Sequence, residues 1–293
     1  MSRKFKMTSA VSDYLKRFAR GESLPQKAEE KASPGPDSAE GSAPAQEAVP
    51  APAAEEKGLL VYALTDVGRV RSSNQDAIIQ GERLFGVADG MGGHKGGETA
   101  SAGARDGLLE LLEDKSPALD ALRDAVTEVN GRLFRQQQGD ERLSGLGTTL
   151  TALWFSEHYV YIGHVGDSRA YLLREGKLRQ MTSDHSLVAE LVRSGVLTPE
   201  QAEGHPMRNV ITRAVGTEET VEVDLLVEER RAGDLWLVCS DGLYGMVPDS
   251  AMEAILTVNT PKAASKLLLD AALAAGGHDN VTVVLVQDKE GSR

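Results

Sequence analysis

A succession of short apolar runs is the feature that most restricts the fold of this 293-residue chain. Between Leu59 and Val286 there are eight strand-like segments: LLVYALTD, DAIIQG, LFGVAD, TTLTALWF, YVYIGHVG, RAYLLREG, DLWLVCSD and NVTVVLVQD. Four helical segments are mixed with them: GETASAGARDGLLELLED, ALDALRDAVTEVNGRLFRQQQ, HSLVAELVRSG and TPKAASKLLLDAALAAGG. Because many strands follow one another directly, we expect largely antiparallel sheets with helices outside, an α+β sandwich.

The first 57 residues have a different composition. Residues 25–57 are mostly Ala, Pro, Glu, Ser and Gly, which predicts a disordered linker. Residues 1–24 place Val11, Leu15 and Phe18 at helical spacing among Lys and Arg, which predicts a short basic amphipathic helix. Three roles stay open for this segment: a frayed solubilising tail, a docking element for a partner protein, or a contact with an anionic membrane surface.

Composition excludes several classes of partner and location. The net charge of −12 argues against nucleic acid, because a phosphate backbone would be repelled over most of the surface. The apolar runs are too short to cross a bilayer, and no signal-peptide pattern opens the sequence. A single cysteine, Cys239, allows no internal disulfide. We therefore expect a cytoplasmic protein.

Carboxylates recur at the ends of the apolar runs, at Asp76, Asp89, Asp167, Asp241 and Asp279. Taken singly, each of them could mark an ordinary turn. If they converged in a partly desolvated cleft they would repel one another, and cations would relieve that repulsion. All-oxygen ligands suit Mg²⁺ or Mn²⁺ better than Zn²⁺. Gly90 fits this hypothesis because a residue without Cβ lets a backbone carbonyl approach a metal.

The motifs around these residues resemble a known family. TDVGRVRSSNQDA, VADGMGGHKGGE, GLGTTL, GHVGDSRAYL, MTSDHSLV, HPMRNVITRAVG, LVCSDGLYGMV and GGHDNVTVVLV look like the ordered motifs of the bacterial metal-dependent protein phosphatases of the PP2C (PPM) family. The resemblance covers the chain from about residue 60 to residue 287. It implies a four-layer α-β-β-α sandwich of two antiparallel sheets flanked by helices, in a phosphatase domain spanning residues 58–289.

The resemblance also implies the roles of individual residues. Asp89 would bridge two tightly bound Mn²⁺ or Mg²⁺ ions, the Gly90 carbonyl would complete the first site, and Asp241 and Asp279 would hold the second. Asp76 would act through metal-bound water. Asp167 would bind a weaker third metal. Arg71 matches the arginine that clamps the substrate phosphate.

Two assignments remain open. His94 could protonate the leaving oxygen as a general acid or have a structural or substrate-orienting role, because three residues separate it from Gly90. Residues 185–216 match the family's flap, a helical insertion beside the active site that helps choose the substrate; the alternative is a packed connection. Within it, Thr198, Pro199 and Gln201 predict a capped helix start.

The function implied is hydrolysis of phosphoserine and phosphothreonine on proteins by a water activated at the dinuclear centre. Phosphoprotein substrates, among them a bacterial Ser/Thr kinase, would be the partners. A cysteine-dependent phosphatase is excluded, since Gly245 stands where its phosphate loop needs arginine. No P-loop motif is present in the sequence. The alternative is a catalytically silent phosphoprotein-binding scaffold with the same fold.

Overall fold

The computed structural model describes residues 54–56, 58–92 and 96–291. Their first sheet has the order β1-β2-β12-β11-β8-β9, and each neighbouring pair is antiparallel. Its strands are β1 (Ala54–Glu56), β2 (Leu59–Asp66), β8 (Arg169–Arg174), β9 (Lys177–Gln180), β11 (Leu235–Cys239) and β12 (Val281–Asp288). The central strands β11 and β12 are almost continuously apolar and buried, as expected for strands covered on both faces.

The second sheet has the order β10-β7-β6-β4-β3, also antiparallel, with β5 paired to β4. Its strands are β3 (Asp76–Gln80), β4 (Leu84–Met91), β5 (Gly147–Thr148), β6 (Leu150–Phe155), β7 (Tyr159–Val165) and β10 (Asp224–Glu229). Side chains of both sheets, among them Phe85, Phe155 and Trp236, form one buried cluster. The two sheets therefore pack face to face.

Helices cover the outer faces of the two sheets. Helices α1 (Gly96–Leu112) and α2 (Leu119–Gly139) share a core with the second sheet, and a 3₁₀ turn follows at Glu141–Leu143. Helices α5 (Asp241–Tyr244), α6 (Asp249–Val258) and α7 (Pro261–Ala274) share a core with the first sheet. The predicted four-layer α-β-β-α sandwich is confirmed. None of the helices described is long and apolar enough to span a membrane.

Residues His185–Thr212 belong to a different compact unit from the chain on either side of them. This segment contains α3 (Leu187–Arg193) and α4 (Pro199–Glu203) around a small apolar cluster centred on Leu187 and Leu191. The capped start predicted for α4 is confirmed: the Thr198 hydroxyl accepts from the Gln201 N–H, and the Gln201 side chain accepts from the Thr198 N–H.

The structure draws two boundaries differently from the sequence. The predicted flap extended to residue 216, whereas Val215 belongs to the larger unit and pairs with Thr148. The predicted linker extended to residue 57, whereas Ala54–Glu56 form strand β1. Strand β1 pairs with β2 through backbone groups, and the amino-acid composition of a segment does not reveal such pairing. The predicted basic helix at residues 1–24 lies outside the described residues.

A buried ion pair joins the two sheets at one end of the sandwich. Arg230 follows β10, and its guanidinium donates to both carboxylate oxygens of Asp288 at the end of β12, at 2.6 and 2.9 Å. The two side chains are only 8% and 0% exposed. A third hydrogen bond from Arg230 reaches the Ser156 carbonyl beside β6. Because both charges are buried, loss of one partner leaves the other uncompensated.

We expect Arg230→Met to lower the free energy of unfolding by about 3–5 kcal/mol, because it leaves Asp288 buried without its cation. Urea denaturation followed by circular dichroism measures the change. Arg105→Met is the control, because Arg105 lies partly exposed on α1 and pairs with its exposed neighbour Asp106. Arg105→Met should lower the free energy of unfolding by less than about 1 kcal/mol. Equal losses in the two variants would contradict the role given to the buried pair.

Candidate metal centre

The antiparallel topology brings the five predicted aspartates to one end of the sandwich. Asp76 begins β3 and is the register partner of Asp89 near the end of β4. Asp167 follows β7, which runs in the same direction as β4 because β6 separates them. In the other sheet, Asp241 follows β11 and Asp279 precedes its antiparallel neighbour β12. At either end of an antiparallel sheet, the starts of some strands lie beside the ends of their neighbours. Residues that begin one strand and residues that end the next can therefore lie at the same end of the sandwich, as these five carboxylates do.

The carboxylates are close enough to shift one another's protonation. Burial is the largest cause that raises the pKa of Asp89 well above its usual value, and the charges of Asp76, Asp241, Asp167 and Asp279 raise it further. Burial likewise raises the pKa of Asp241, with the charges of Asp167, Asp279 and Asp76 adding to it. The sequence hypothesis that these carboxylates converge and repel one another is therefore supported by the geometry.

Asp76 is held by hydroxyl groups from the opposite sheet. Its Oδ2 accepts from Ser240 at 2.7 Å and from Thr282 at 2.6 Å. Its buried Oδ1 has no hydrogen-bond donor among the described residues. Burial raises the pKa of this carboxyl to about 6, although the two hydroxyl donors oppose the shift. One oxygen is thus oriented by the protein and the other is left for a ligand.

Asp167 shows the same combination of burial and an unsatisfied oxygen. The residue is 4% exposed, and its Oδ1 has no donor among the residues described. Burial, followed by the charge of Asp184, raises its pKa to about 7. Its backbone carbonyl accepts from the Tyr244 hydroxyl at 2.9 Å. The Arg169 guanidinium lies 3.7 Å from the centre of the Tyr244 ring and pairs with Asp184.

The positions after Asp89 and Asp241 require glycine because neighbouring backbone segments pass very close to them. A Cβ at Gly90 would lie 2.1 Å from the Gly97 carbonyl oxygen and 2.7 Å from that of Gln75. A Cβ at Gly242 would lie 2.0 Å from the Asn280 carbonyl oxygen. Any other residue would force these segments apart. Both Asp-Gly pairs thus bring neighbouring strand ends together around the carboxylates.

Arg71 enters the site from a loop comprising residues 67–75, which we call the Arg71 loop. Its guanidinium donates to Asp279 Oδ2 at 2.7 Å, with the two side chains 50% and 31% exposed. The Asn280 side chain anchors both ends of the loop: its amide donates to Val67 and Ser73 carbonyls at 2.9 Å each, and its oxygen accepts from the Gln75 N–H at 2.8 Å.

The other candidate residues are two histidines and the single cysteine. His94 lies outside the described residues, and its role stays a prediction. Cys239 is fully buried, and burial raises the pKa of its thiol, so it has neither the access nor the thiolate that a nucleophile needs. His164 is buried, with Nδ1 2.9 Å from the Thr151 hydroxyl.

Sequence reasoning missed the residues that hold the aspartates, namely Ser240, Thr282, Asn280 and Tyr244. Ser240 directly precedes Asp241, and Asn280 directly follows Asp279. Their adjacency to candidate ligands was the available signal. Nothing in the spacing of Thr282 or Tyr244 points to Asp76 or Asp167, because these contacts join distant parts of the chain.

The donor set fits hard divalent cations. It consists of carboxylate oxygens and a closely approached backbone, with unsatisfied buried oxygens on Asp76 and Asp167. Among the described residues, no three acidic, His or Cys side chains are already arranged as a finished ligand set. Arg71 instead neutralises Asp279. Arg71 therefore occupies the Asp279 carboxylate that the sequence predicts to be a metal ligand.

The raised carboxyl pKa values predict an unusual pH dependence for the metal-free protein. The folded state holds more protons than the unfolded state between about pH 4 and pH 7, so the free energy of unfolding should fall as pH rises through that range. Thermal unfolding in EDTA from pH 4.5 to 7.5 measures this. Asp167→Asn should flatten the slope, whereas exposed Asp114→Asn should reproduce the unsubstituted profile. A slope of opposite sign would contradict the carboxylate cluster.

Comparison with known proteins agrees with this geometry. Residues 68–275 match the family model described as Protein phosphatase 2C. The chain is 43% identical over 225 residues to the serine/threonine protein phosphatase PstP of Mycobacterium tuberculosis, covering 76% of this chain and 44% of that protein. It thus spans less than half the length of that relative. The serine/threonine phosphatase stp of Listeria monocytogenes is 40% identical over 235 residues, covering 76% of this chain and 93% of that protein.

A solved structure extends the comparison to three dimensions. The catalytic domain of the serine/threonine protein phosphatase PstP, in complex with two manganese ions, superposes with a TM-score of 0.74 at 40% identity. The match covers 79% of this chain and 99% of that one. Sequence, family model and fold agree over the same region. The chain therefore belongs to the protein phosphatase 2C family.

Proposed function

We propose that this chain is a metal-dependent protein phosphatase that hydrolyses phosphoserine and phosphothreonine esters. The observation that carries the proposal is the cluster of five aspartates at one end of the sandwich, two of them with buried oxygens that lack a donor among the described residues. Relatives named as serine/threonine phosphatases support the same reaction. They give no support to the alternative of a catalytically silent scaffold.

The proposed ligands are the residues predicted from the sequence. Asp89 and the Gly90 carbonyl would hold one divalent cation, and Asp89, Asp241 and Asp279 a second. The manganese complex of the PstP catalytic domain supports two ions, and we propose Mn²⁺ or Mg²⁺ here. Asp167, with its unsatisfied Oδ1, is the proposed ligand of a weaker third ion. When bound, such cations supply an activated water and neutralise charge on the phosphate.

The protein's own side chains provide positioning. Asp76 accepts hydrogen bonds at Oδ2 from two hydroxyl groups, so its Oδ1 is directed by the protein and can orient a water. Arg71 supplies a planar donor group suited to phosphate oxygens, and it would bind the phosphate in place of Asp279 if a cation held that carboxylate. His94 is retained as a candidate general acid or substrate-orienting residue.

The finer biological assignments remain proposals. A bacterial Ser/Thr kinase among the substrates, a cytoplasmic location and docking through residues 1–24 all come from the sequence. The segment His185–Thr212 is proposed to act as the flap that contributes to substrate choice.

Removal and restoration of the metal tests the function. The 293-residue chain treated with EDTA should lose hydrolysis of a phosphothreonine peptide and regain it with Mn²⁺ or Mg²⁺. Asp241→Asn should lower kcat/KM more than about 100-fold, beyond the loss typical of an outer-shell partner. Its fold should be kept, since removing one charge relieves repulsion in the cluster. Exposed Asp270→Asn is the control. Full turnover by Asp241→Asn would overturn the metal assignment.

The hydroxyl groups that hold Asp76 give a second prediction. Thr282→Val removes one donor from Asp76 Oδ2 while keeping the shape of the side chain, and we expect Mn²⁺ affinity to fall about 10-fold. Isothermal titration calorimetry measures it. Thr257→Val is the control, because the Thr257 hydroxyl donates to the Glu253 carbonyl within helix α6 rather than to Asp76 or Thr282. Equal losses in both variants would indicate a general packing effect instead.

A further inference from the structure

We propose that Arg69 selects phosphoprotein substrates with an acidic residue close to the phosphorylated serine or threonine. This inference rests on the proposed function and adds a substrate class to it. Arg69 lies two residues before Arg71 in the Arg71 loop, and its own contacts differ from those of Arg71.

The Arg71 loop is fixed in place by its backbone. The Arg69 N–H donates to the Gly277 carbonyl at 2.7 Å, and the Gly68 N–H donates to Asp66 at 2.8 Å. These bonds add to the three that Asn280 makes to the loop ends. The carbon stem of Arg69 runs beside Gly277, where an added Cβ would lie 3.1 Å from Arg69 Cγ. The loop therefore presents its side chains from a defined position.

The tip of this loop offers an uncommitted cation. Arg69 is exposed, and its guanidinium has no hydrogen bond or ion pair with any residue that the structure describes. Arg71, by contrast, is paired with Asp279. Between them Val70 is 65% exposed, an apolar side chain turned to solvent at the same place. A substrate that brought a carboxylate to this point would find a cation with no competing acidic partner there.

Distance favours residues next to the phosphorylated one. Two residues span at most about 7 Å of chain, so the backbones of Arg69 and Arg71 are neighbours. An extended peptide whose phosphate is bound by Arg71 advances about 3.3–3.6 Å per residue. Side chains one to three residues from the phosphoresidue therefore fall within reach of Arg69.

The net charge of the chain gives a reason for a contact between Arg69 and an acidic substrate residue. The chain carries a net charge of −12, so an acidic peptide approaches an unfavourable field overall. An exposed cation beside the site offsets that repulsion locally. Exposed ion pairs are weak and screened by salt, so the expected preference is about two- to fivefold and declines at high ionic strength.

The test uses the 293-residue chain with Mn²⁺ and three substrates. Two are phosphothreonine peptides identical except for glutamate or glutamine at the three positions on each side of the phosphothreonine. The third is p-nitrophenyl phosphate, which has no neighbouring residues. The variants are Arg69→Gln, which keeps most of the stem, and Arg69→Lys, which keeps the charge. Arg135→Gln on α2 is the control for net charge, because Arg135 is also exposed.

We expect Arg69→Gln to lower kcat/KM for the glutamate peptide about two- to fivefold, through KM, because the contact forms equally in bound substrate and transition state. The glutamine peptide and the small ester should be unaffected. Arg69→Lys should retain most of the preference, and Arg135→Gln all of it. The effect of Arg69→Gln should shrink in 0.5 M salt, a Debye length of about 4 Å.

Two results would overturn the inference. An equal loss on all three substrates would show that Arg69 only supports the loop, and an unchanged glutamate preference would show that it makes no contact. Failure of the unsubstituted protein to hydrolyse any of the three would instead remove the proposed function, and this inference with it. Hydrolysis of the small ester thus separates the two failures.

Discussion

The hydrogen bonds from Ser240 and Thr282 to Asp76 are the interaction on which the site depends, because they cross from one sheet to the other. Ser240 follows β11 and Thr282 lies on β12, whereas Asp76 begins β3 in the second sheet. They align the two strand edges so that carboxylates from both sheets share one cleft. At the other end of the sandwich, the Arg230–Asp288 pair makes a comparable link.

The two ends of the sandwich use buried charge in opposite ways. Asp288 has its cation supplied by the protein, and the pair contributes to the fold. At the other end, the described residues supply too few cations for the aspartates, and burial and mutual repulsion raise the pKa of Asp76, Asp89, Asp167 and Asp241. That cluster lowers the stability of the metal-free state at neutral pH and increases the benefit of binding divalent cations. The fold therefore accommodates a group of carboxylates that lowers its stability at the proposed metal site.

Much of the fold could be predicted because its signals are local. The strand runs, the capped start at Thr198 and the Asp-Gly pairs all appear within a few residues of sequence. The predictions failed where structure depends on backbone pairing or on distant partners. Strand β1 pairs through its backbone alone, and the polar edge strands β9 and β10 carry no strong apolar pattern. Tyr244 and Thr282 gain their roles from contacts with residues 77 and 206 positions away.

The sequence by itself determined the layered α+β class and predicted an oxygen-rich site with five candidate aspartates, because residue type and local periodicity carry that information. The tertiary structure decided which oxygens are held and which are left for ligands, that Arg71 is paired with Asp279, and that Arg69 stands exposed without an acidic partner among the described residues. These properties arise from contacts between segments far apart in the chain, and the spacing of residues does not encode them.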